Sequence, residues 1–228
     1  MNRTRRSLEL RLLLPILLAG IAVWGFMEIA EEVLDGDAHA VDAWILSLLR
    51  VGPETSRQPI GPLWFQEAMR DVTALGSPAV LALVVAAAWG GLMMARQAAM
   101  AWLALASAGA GLAMTMVLKH VFSRARPQEI YHATVATGYS FPSGHAMMSA
   151  VVFLTLAVLA ARLAPRTRMR VYLVALAGLL AGMVGLSRIY LGVHWASDVA
   201  AGWAAGAAWA LACWLLADRL GFGREDSR

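Results

Sequence analysis

The chain has 228 residues, of which 60% are hydrophobic and 15% are charged, and its formal net charge is +4. The mean hydropathy is +0.62, and the apolar share exceeds the roughly 45–50% of soluble domains, which excludes an ordinary water-soluble globular protein. A pI near 9.8 would suggest a nucleic-acid partner in a soluble protein. Here the arginines flank apolar runs, so membrane topology explains the charge and we expect no nucleic acid to bind.

Six apolar segments approach the roughly 20 residues that a helix needs to cross a hydrocarbon core about 30 Å thick. They cover residues 12–30, 78–95, 98–118, 146–164, 171–186 and 195–217. The runs lack the alternation of a membrane barrel strand. The sequence therefore predicts an all-α fold, a six-transmembrane helix bundle. We expect one integral membrane domain over residues 1–228, with a motif-bearing core at about 98–217.

The first apolar run follows Arg3, Arg5 and Arg6, a pattern that secretory signal peptides also show. No convincing small-x-small cleavage site follows the run, and the acidic residues Glu28 and Glu31 come next. We therefore expect this segment to be retained as a helix.

Residues 31–77 are too polar to cross a membrane but contain two apolar stripes at helical spacing. The stripes consist of Val41, Trp44, Ile45, Leu48 and Leu49, and of Phe65, Met69 and Val72. Such stripes are typical of interfacial helices that lie on a leaflet. A loop cap that packs on the bundle explains them equally well.

The distribution of basic residues predicts the orientation. With a cytoplasmic N-terminus, 12 of the 19 Lys and Arg residues fall in cytoplasmic segments. The positive-inside rule therefore predicts cytoplasmic termini, with the loops that bear the motifs on the extracytoplasmic side of a bacterial inner membrane.

Small residues recur four positions apart in several apolar runs, a spacing that allows close helix packing. The pairs are Gly178 with Gly182, Gly202 with Gly206, and Ser107 with Gly111. The single cysteine, Cys213, excludes an intrachain disulfide and a cysteine-based metal site.

The first polar cluster is Lys119, six residues, then Arg126 and Pro127, after the third apolar run. Pro127 disfavours helical geometry at the preceding residue, so we expect Arg126 on a turn close to Lys119. Arg offers a fork and Lys a point charge for phosphate oxygens, so the pair suits an anion. Taken alone, Lys119 is better explained as an interfacial lysine that snorkels along its helix.

The second cluster is Phe141-Pro142-Ser143-Gly144-His145, directly before the fourth apolar run. Pro and Ser are helix start signals, and N–H groups around Ser143 and Gly144 at a helix N-terminus would cradle a phosphate. The alternative is an ordinary helix cap beside an unrelated histidine.

The third cluster is Ser187-Arg188, five residues, His194, three residues, then Asp198. His194 and Asp198 are i and i+4, so we expect them to share a face of the helix that opens near Trp195. Asp198 would then hold one imidazole N–H and leave the other nitrogen with its lone pair for an electrophile. Taken alone, such a pair is more often a structural hydrogen bond.

Together, the three clusters resemble the signature of the type 2 phosphatidic acid phosphatase (PAP2) superfamily at every defining position. The resemblance covers the motifs from Lys119 to Asp198 and most of the helical layout. It implies that His194 attacks phosphorus to form a phosphohistidine, that Asp198 orients it and that His145 protonates the leaving oxygen. The residues that would bind the phosphoryl oxygens are Lys119, Arg126, Ser143, Gly144 and Arg188. His39, His120, His132 and Arg124 match no defining position, and we expect them to be surface or supporting residues.

We expect no cofactor and no metal, since three cations and helix-start N–H groups supply positioning and charge stabilisation for phosphoryl transfer. Soluble vanadium-dependent haloperoxidases carry the same signature, but the membrane composition argues against that reading.

The expected function is hydrolysis of a phosphorylated membrane lipid, a phosphate monoester or pyrophosphate, at the outer membrane face. Phosphatidic acid, phosphatidylglycerol phosphate, undecaprenyl pyrophosphate and lipid A phosphates are the candidate substrates. A lipid phosphotransferase is the alternative that the motifs leave open. An anion transporter fits less well, because transport sites lie near the bilayer midplane and the charges here cluster at helix ends.

Overall fold

Eight α-helices make up most of residues 3–53 and 57–222, which the computed structural model describes, with side chains from Leu12 onward. The helices are α1 (Arg3–Asp35), α2 (Ala38–Leu48), α3 (Leu63–Ala74), α4 (Pro78–Met94), α5 (Ala98–Phe122), α6 (Gly144–Leu163), α7 (Thr167–Tyr190) and α8 (Ala196–Arg219). A two-stranded antiparallel sheet, β1 (Arg50–Val51) with β2 (Gln58–Pro59), lies between α2 and α3. A 3₁₀ helix, Glu129–Tyr131, lies between α5 and α6.

Within the described residues, five helices are long and apolar enough to cross a membrane: α1, α5, α6, α7 and α8. α4 has only 17 residues but reaches this length together with α3, to which it is joined at an angle of 49°. The chain restarts as a helix there because Ser77 caps the N–H of Val80 and Pro78 occupies the first turn. The predicted six-transmembrane bundle is confirmed when α3 and α4 are counted together as the second span.

Most spans extend beyond the apolar runs that predicted them. α7 begins at Thr167 instead of residue 171, and α5 ends at Phe122 instead of residue 118. Arg168 and Lys119 lie in these extensions, where long basic side chains reach the interface while the backbone stays helical.

α6 is the centre of the bundle and packs against α4, α5, α7 and α8. Two glycines of α8 allow a close approach to α6, since a Cβ would lie 3.0 Å from Ser143 O at Gly202 and 2.6 Å from Ala150 Cβ at Gly206. At Gly111 of α5 a Cβ would lie 2.8 Å from Val151 Cγ1. The packing predicted for these small residues is confirmed.

The packing predicted for Gly178 and Gly182 is wrong. A Cβ at either position would meet nothing within 4 Å in the described chain. This face of α7 points away from the bundle, so the spacing of small residues alone did not distinguish a packed face from an outer one.

The apolar stripes of α2 and α3 are only partly exposed, since some of their side chains pack on the bundle. On α2, Val41 and Trp44 are about 60% exposed, as in an interfacial helix, whereas Ile45 packs on a buried cluster of the bundle. On α3, Phe65 and Met69 pack against the buried residues 190–193, so this helix rests on α7.

The C-terminal ends of α5 and α7 and the N-terminal ends of α6 and α8 meet at one end of the bundle, which carries all three predicted clusters. The side chains of Arg3, Arg5, Arg6 and Arg11, and all of Arg224 and Arg228, lie outside the described residues. Which end faces the cytoplasm stays a prediction.

Candidate active site

Lys119 and Arg126 converge on one backbone oxygen. α5 ends at Phe122, and Ser123 takes a left-handed conformation with φ of 44°, which turns the chain back over the helix end. Lys119 Nζ donates to Tyr139 O at 2.6 Å, and Arg126 Nη2 donates to the same oxygen at 3.2 Å. The predicted proximity of the two cations is confirmed.

Arg126 also contacts His194. Its Nη1 donates to Val193 O at 2.7 Å and lies 3.0 Å from His194 Nε2. Arginine is only a donor, so this contact makes Nε2 an acceptor with its lone pair toward Arg126 and assigns the imidazole proton to Nδ1. Burial lowers the pKa of His194 to about 3, with the Asp198 carboxylate opposing the shift and the Arg126 and Arg188 cations adding to it. The imidazole is therefore neutral at physiological pH.

Asp198 is fully buried and fully hydrogen-bonded. Its Oδ2 lies 3.3 Å from His194 Nδ1 and also accepts the Trp195 N–H at 2.9 Å and the Ser140 hydroxyl. Its Oδ1 accepts Arg124 Nη1 at 2.7 Å. A carboxylate with this many partners is held in one orientation, and it holds His194 in turn.

The route by which His194 meets Asp198 differs from the prediction. His194 precedes α8, and Trp195 is its extended N-cap residue with ψ of 155°. Asp198, in the first turn, caps the backbone N–H of Trp195, and this local fold brings its carboxylate under the imidazole. The pair is therefore joined by a helix cap and does not share a helical face.

α6 begins at Gly144, with Ser143 as its N-cap residue. The Ser143 N–H donates to Asp198 O at 2.9 Å, so this group is engaged within the protein, contrary to the predicted cradle. The N–H groups of Gly144 and His145 lie in the first helical turn, where they have no intrahelical partner. A Cβ at Gly144 would lie 3.5 Å from Lys119 Cε, which places this turn beside the cation.

Two of the predicted phosphate-binding side chains hold buried polar atoms without a partner in the described chain. They are Ser143 Oγ and Arg188 Nε. The other end of the Arg188 guanidinium is fixed, since its Nη1 donates to Thr73 Oγ1 at 3.1 Å. Leaving such atoms unsatisfied costs roughly 1–3 kcal/mol each, so both gain from an oxygen-rich ligand.

His145 lies on the wall of an apolar cavity of about 440 Å³ between α4, α5 and α6. Gly144, His145 and Lys119 form its polar end, and aliphatic side chains such as Leu81 and Val85 line the rest. Three of the lining residues, Leu105, Leu112 and Met116, are about 40–55% exposed. The cavity is therefore continuous with the lipid-facing surface.

The sequence prediction missed two residues of this site, Ser140 and Asp42. Arg124 was expected to be a surface or supporting residue, and its direct contact with Asp198 fits the supporting role. Ser140 directly precedes the second motif, and its hydroxyl bonds to the same carboxylate. Asp42 could have been identified because it is an acidic residue between the apolar residues on the inner face of α2.

Fold and site together define a membrane-embedded enzyme whose site gathers Lys119, Arg126 and Arg188 around His145. Residues 99–222 match the sequence model of the PAP2 superfamily. A phosphatidylglycerophosphatase B of Bacillus subtilis is 33% identical over 153 residues, which cover 66% of this chain and 72% of that protein. An undecaprenyl-diphosphatase of Sulfolobus acidocaldarius is 34% identical over 95 residues, which cover 40% and 42% of the two chains.

Two solved structures also resemble this chain. The crystal structure of a transmembrane PAP2-type phosphatidylglycerolphosphate phosphatase from Bacillus subtilis superposes with a TM-score of 0.71 at 25% identity, covering 94% of this chain and 98% of that one. Aquifex aeolicus LpxE shares the fold, with a TM-score of 0.50 at 20% identity over 70% of this chain and 88% of that one. The chain belongs to the PAP2 superfamily and is an integral membrane lipid phosphatase.

Proposed function

We propose that this protein hydrolyses a lipid phosphate through a phosphohistidine intermediate without a metal ion. The observation that carries the proposal is the contact between Arg126 Nη1 and His194 Nε2, since it directs a neutral, lone-pair-bearing nitrogen toward a cation that can hold a phosphoryl oxygen. In the described chain, no three His, Cys, Asp or Glu side chains lie together as metal ligands. The charge stabilisation is assigned instead to Lys119, Arg126 and Arg188.

In the first step His194 Nε2 forms a bond to phosphorus, and the bond from phosphorus to the lipid oxygen breaks. His145 gives a proton to that oxygen, while Asp198 holds the Nδ1 proton of the imidazolium that forms. In the second step His145 takes a proton from water, whose oxygen attacks phosphorus and displaces His194. Phosphate and the dephosphorylated lipid are the products, and the proton taken from water replaces the one that His145 gave to the lipid oxygen.

The apolar cavity supports a lipid as the leaving group. Its polar end holds His145, the proposed proton donor, and Lys119, while the rest of the wall is aliphatic and reaches the bilayer. A lipid tail in this cavity would place its phosphate at Gly144 and the cations. The surface that lipids meet in the bilayer would then lead directly to the reacting atoms.

Phosphatidylglycerol phosphate is the substrate that we propose first. One relative, matched over 72% of its own length, is named a phosphatidylglycerophosphatase. The solved structure that is matched over 98% of its chain is described as a phosphatidylglycerolphosphate phosphatase. Undecaprenyl pyrophosphate is second, since the relative with that name matches over 42% of its length. Phosphatidic acid and lipid A phosphates complete the set to be compared.

We also propose that residues 1–228 act as one membrane domain in the inner membrane, with cytoplasmic termini and an extracytoplasmic site. In the sequence, 12 of the 19 basic residues fall in segments assigned to the cytoplasmic side, which supports this orientation. Glu129→Cys, beside the site, should react with an impermeant maleimide in intact cells, whereas Arg168→Cys should react only after lysis. The reverse pattern would place the site in the cytoplasm.

The deciding experiment is phosphate release by the purified protein in EDTA with each of the four lipids, beside His194→Gln. We expect release, inhibition by vanadate, and an acid-labile phosphoenzyme that the variant lacks. Activity in His194→Gln would remove His194 as the nucleophile, and dependence on added metal would overturn the metal-free mechanism. Release only with an acceptor lipid would identify a phosphotransferase.

A further inference from the structure

Arg124 lies between two buried carboxylates at the edge of the site. Its Nη2 donates to Asp42 Oδ2 at 2.8 Å, and its Nη1 donates to Asp198 Oδ1 at 2.7 Å. The side chains of Asp42, Arg124 and Asp198 are 2%, 13% and 0% exposed. Buried ion pairs of this geometry are screened little by solvent, so each partner strongly constrains the others.

Asp42 also holds the first turn of α8. Its Oδ1 accepts the Ser197 N–H at 2.9 Å, and its Oδ2 accepts the Ser197 hydroxyl at 2.5 Å. Arg124 Nη1 donates to the same hydroxyl at 2.7 Å. α2 therefore supplies, from outside the three motifs, a cap for the helix that carries Asp198.

We propose that Arg124 and Asp42 are positioning residues for phosphoryl transfer, because they hold the Asp198 carboxylate in the orientation that keeps the Nδ1 proton of His194 in place. The chain of contacts runs from Asp42 through Arg124 to Asp198 and His194. In this assignment neither residue contacts the phosphoryl group. α2, whose outer face is apolar and exposed, thereby becomes a part of the catalytic assembly.

This inference rests on the proposed roles of His194 and Asp198, and it predicts a specific kinetic pattern. Without Arg124, Asp198 Oδ1 loses its partner, so the carboxylate and the imidazole occupy the productive orientation less often. We expect Arg124→Gln and Asp42→Asn to lower kcat by about 10–100-fold, the range seen when outer partners of a site residue are removed. KM should change less than about threefold, because the phosphate-binding groups are untouched.

Arg124→Lys keeps a cation between the carboxylates and should recover part of kcat, which a general packing defect would not do. The variant Asp42→Asn with Arg124→Gln should lose less activity than the product of the two single losses, since the two residues share an ion pair on the route to Asp198. Asp37→Asn, at an exposed aspartate just before α2, is the matched control and should keep wild-type kcat.

The test is steady-state kinetics of the full-length variants on the best lipid phosphate, together with the rate of phosphoenzyme formation and the thermal unfolding temperature. A loss in kcat with little change in KM, and recovery in Arg124→Lys, is the expected result. An unchanged kcat in Arg124→Gln, or multiplicative losses in the double variant, would overturn the inference. If Arg124→Gln does not fold, Asp42→Asn decides alone. Activity in His194→Gln would instead overturn the proposed function.

Discussion

Arg126 Nη1 lies 3.0 Å from His194 Nε2, and Asp198 Oδ2 lies 3.3 Å from His194 Nδ1 on the other side of the ring. A donor-only cation on one nitrogen and an acceptor-only carboxylate on the other leave one tautomer. A phosphoryl group that reaches Nε2 must displace the guanidinium from that nitrogen. The guanidinium N–H groups can then donate to the phosphoryl oxygens. Under the proposed function, Arg126 would direct the His194 lone pair before substrate binds and would stabilise charge on the phosphoryl oxygens afterwards.

Asp198→Asn should lower kcat by about 10³–10⁴-fold, as expected when the carboxylate behind a reacting histidine is replaced by an amide. An amide can donate to Nδ1, which moves the imidazole proton to Nε2 and removes the lone pair. Single-turnover phosphoenzyme formation measures the effect, with the exposed Asp71→Asn as the control. A loss of less than tenfold would contradict the assigned tautomer.

His194 should remain neutral at about pH 5, well below the ordinary histidine pKa near 6.5, because burial lowers its pKa to about 3. Two-bond ¹H–¹⁵N spectra of histidine-labelled protein report its charge, and His194→Gln identifies the signal. The unfolded chain binds this proton near pH 6.5 and the folded chain does not, so the unfolding free energy should fall as pH drops below 6.5. A His194 signal that titrates near pH 6.5 would contradict the shift.

Ser143→Ala should weaken vanadate binding by at least about tenfold, since a hydrogen bond to a charged group contributes about 1.5–3 kcal/mol. The thermal unfolding temperature without ligand should not fall, because the Ser143 hydroxyl is buried without a partner. Ser149→Ala is the control, as that hydroxyl donates to Ala146 O within α6. Equal vanadate affinity in wild type and Ser143→Ala would remove this hydroxyl from the phosphate site.

Gly206→Ala should destabilise the protein by about 1–3 kcal/mol, the usual cost of overpacking. A Cβ there would lie 2.6 Å from Ala150 Cβ and 2.8 Å from Met147 O, whereas a Cβ at Gly178 meets nothing within 4 Å. Thermal unfolding in detergent compares Gly206→Ala with Gly178→Ala. Equal stability of the two variants would show that α6 and α8 do not pack as described.

Ala108→Phe should raise KM for long-chain lipid phosphates and leave that for a short-chain soluble ester unchanged, because the ring would fill the cavity between α4, α5 and α6. Ala113→Phe, on the exposed side of α5, is the matched control. The two KM values, measured at fixed detergent, separate tail binding from chemistry. Parallel changes with both substrates would locate the lipid tail elsewhere.

The sequence predicted the six spans and the gathering of three clusters at one end, because hydropathy and helix length determine which helix ends share a side. Lys119 and Arg126 were correctly placed together, although α5 ends at Phe122, where Ser123 turns the chain, and not at the residue before Pro127. Helix ends were less accurate, because basic residues such as Arg168 continue a helix beyond its apolar run.

The contacts around Arg124 could not be predicted. Asp42 and Asp198 are 82 and 74 positions away from it in the chain, and nothing local in the sequence pairs them. The Ser143 N–H was misplaced for a similar reason, since its acceptor, Asp198 O, belongs to another helix. Both groups depend on how α8 docks between α2 and α6, which periodicity does not encode.

The cavity that ends at His145 is continuous with the lipid-facing surface of the bundle. Under the proposed function, the rate therefore depends on the concentration of substrate within the membrane leaflet. For a substrate that enters laterally from the bilayer, the relevant concentration is its mole fraction among the lipids of the leaflet, and not its molarity in solution. Inert lipid added at constant total substrate should therefore slow turnover. Product lipid released by the same route stays in the leaflet and competes with substrate as it accumulates.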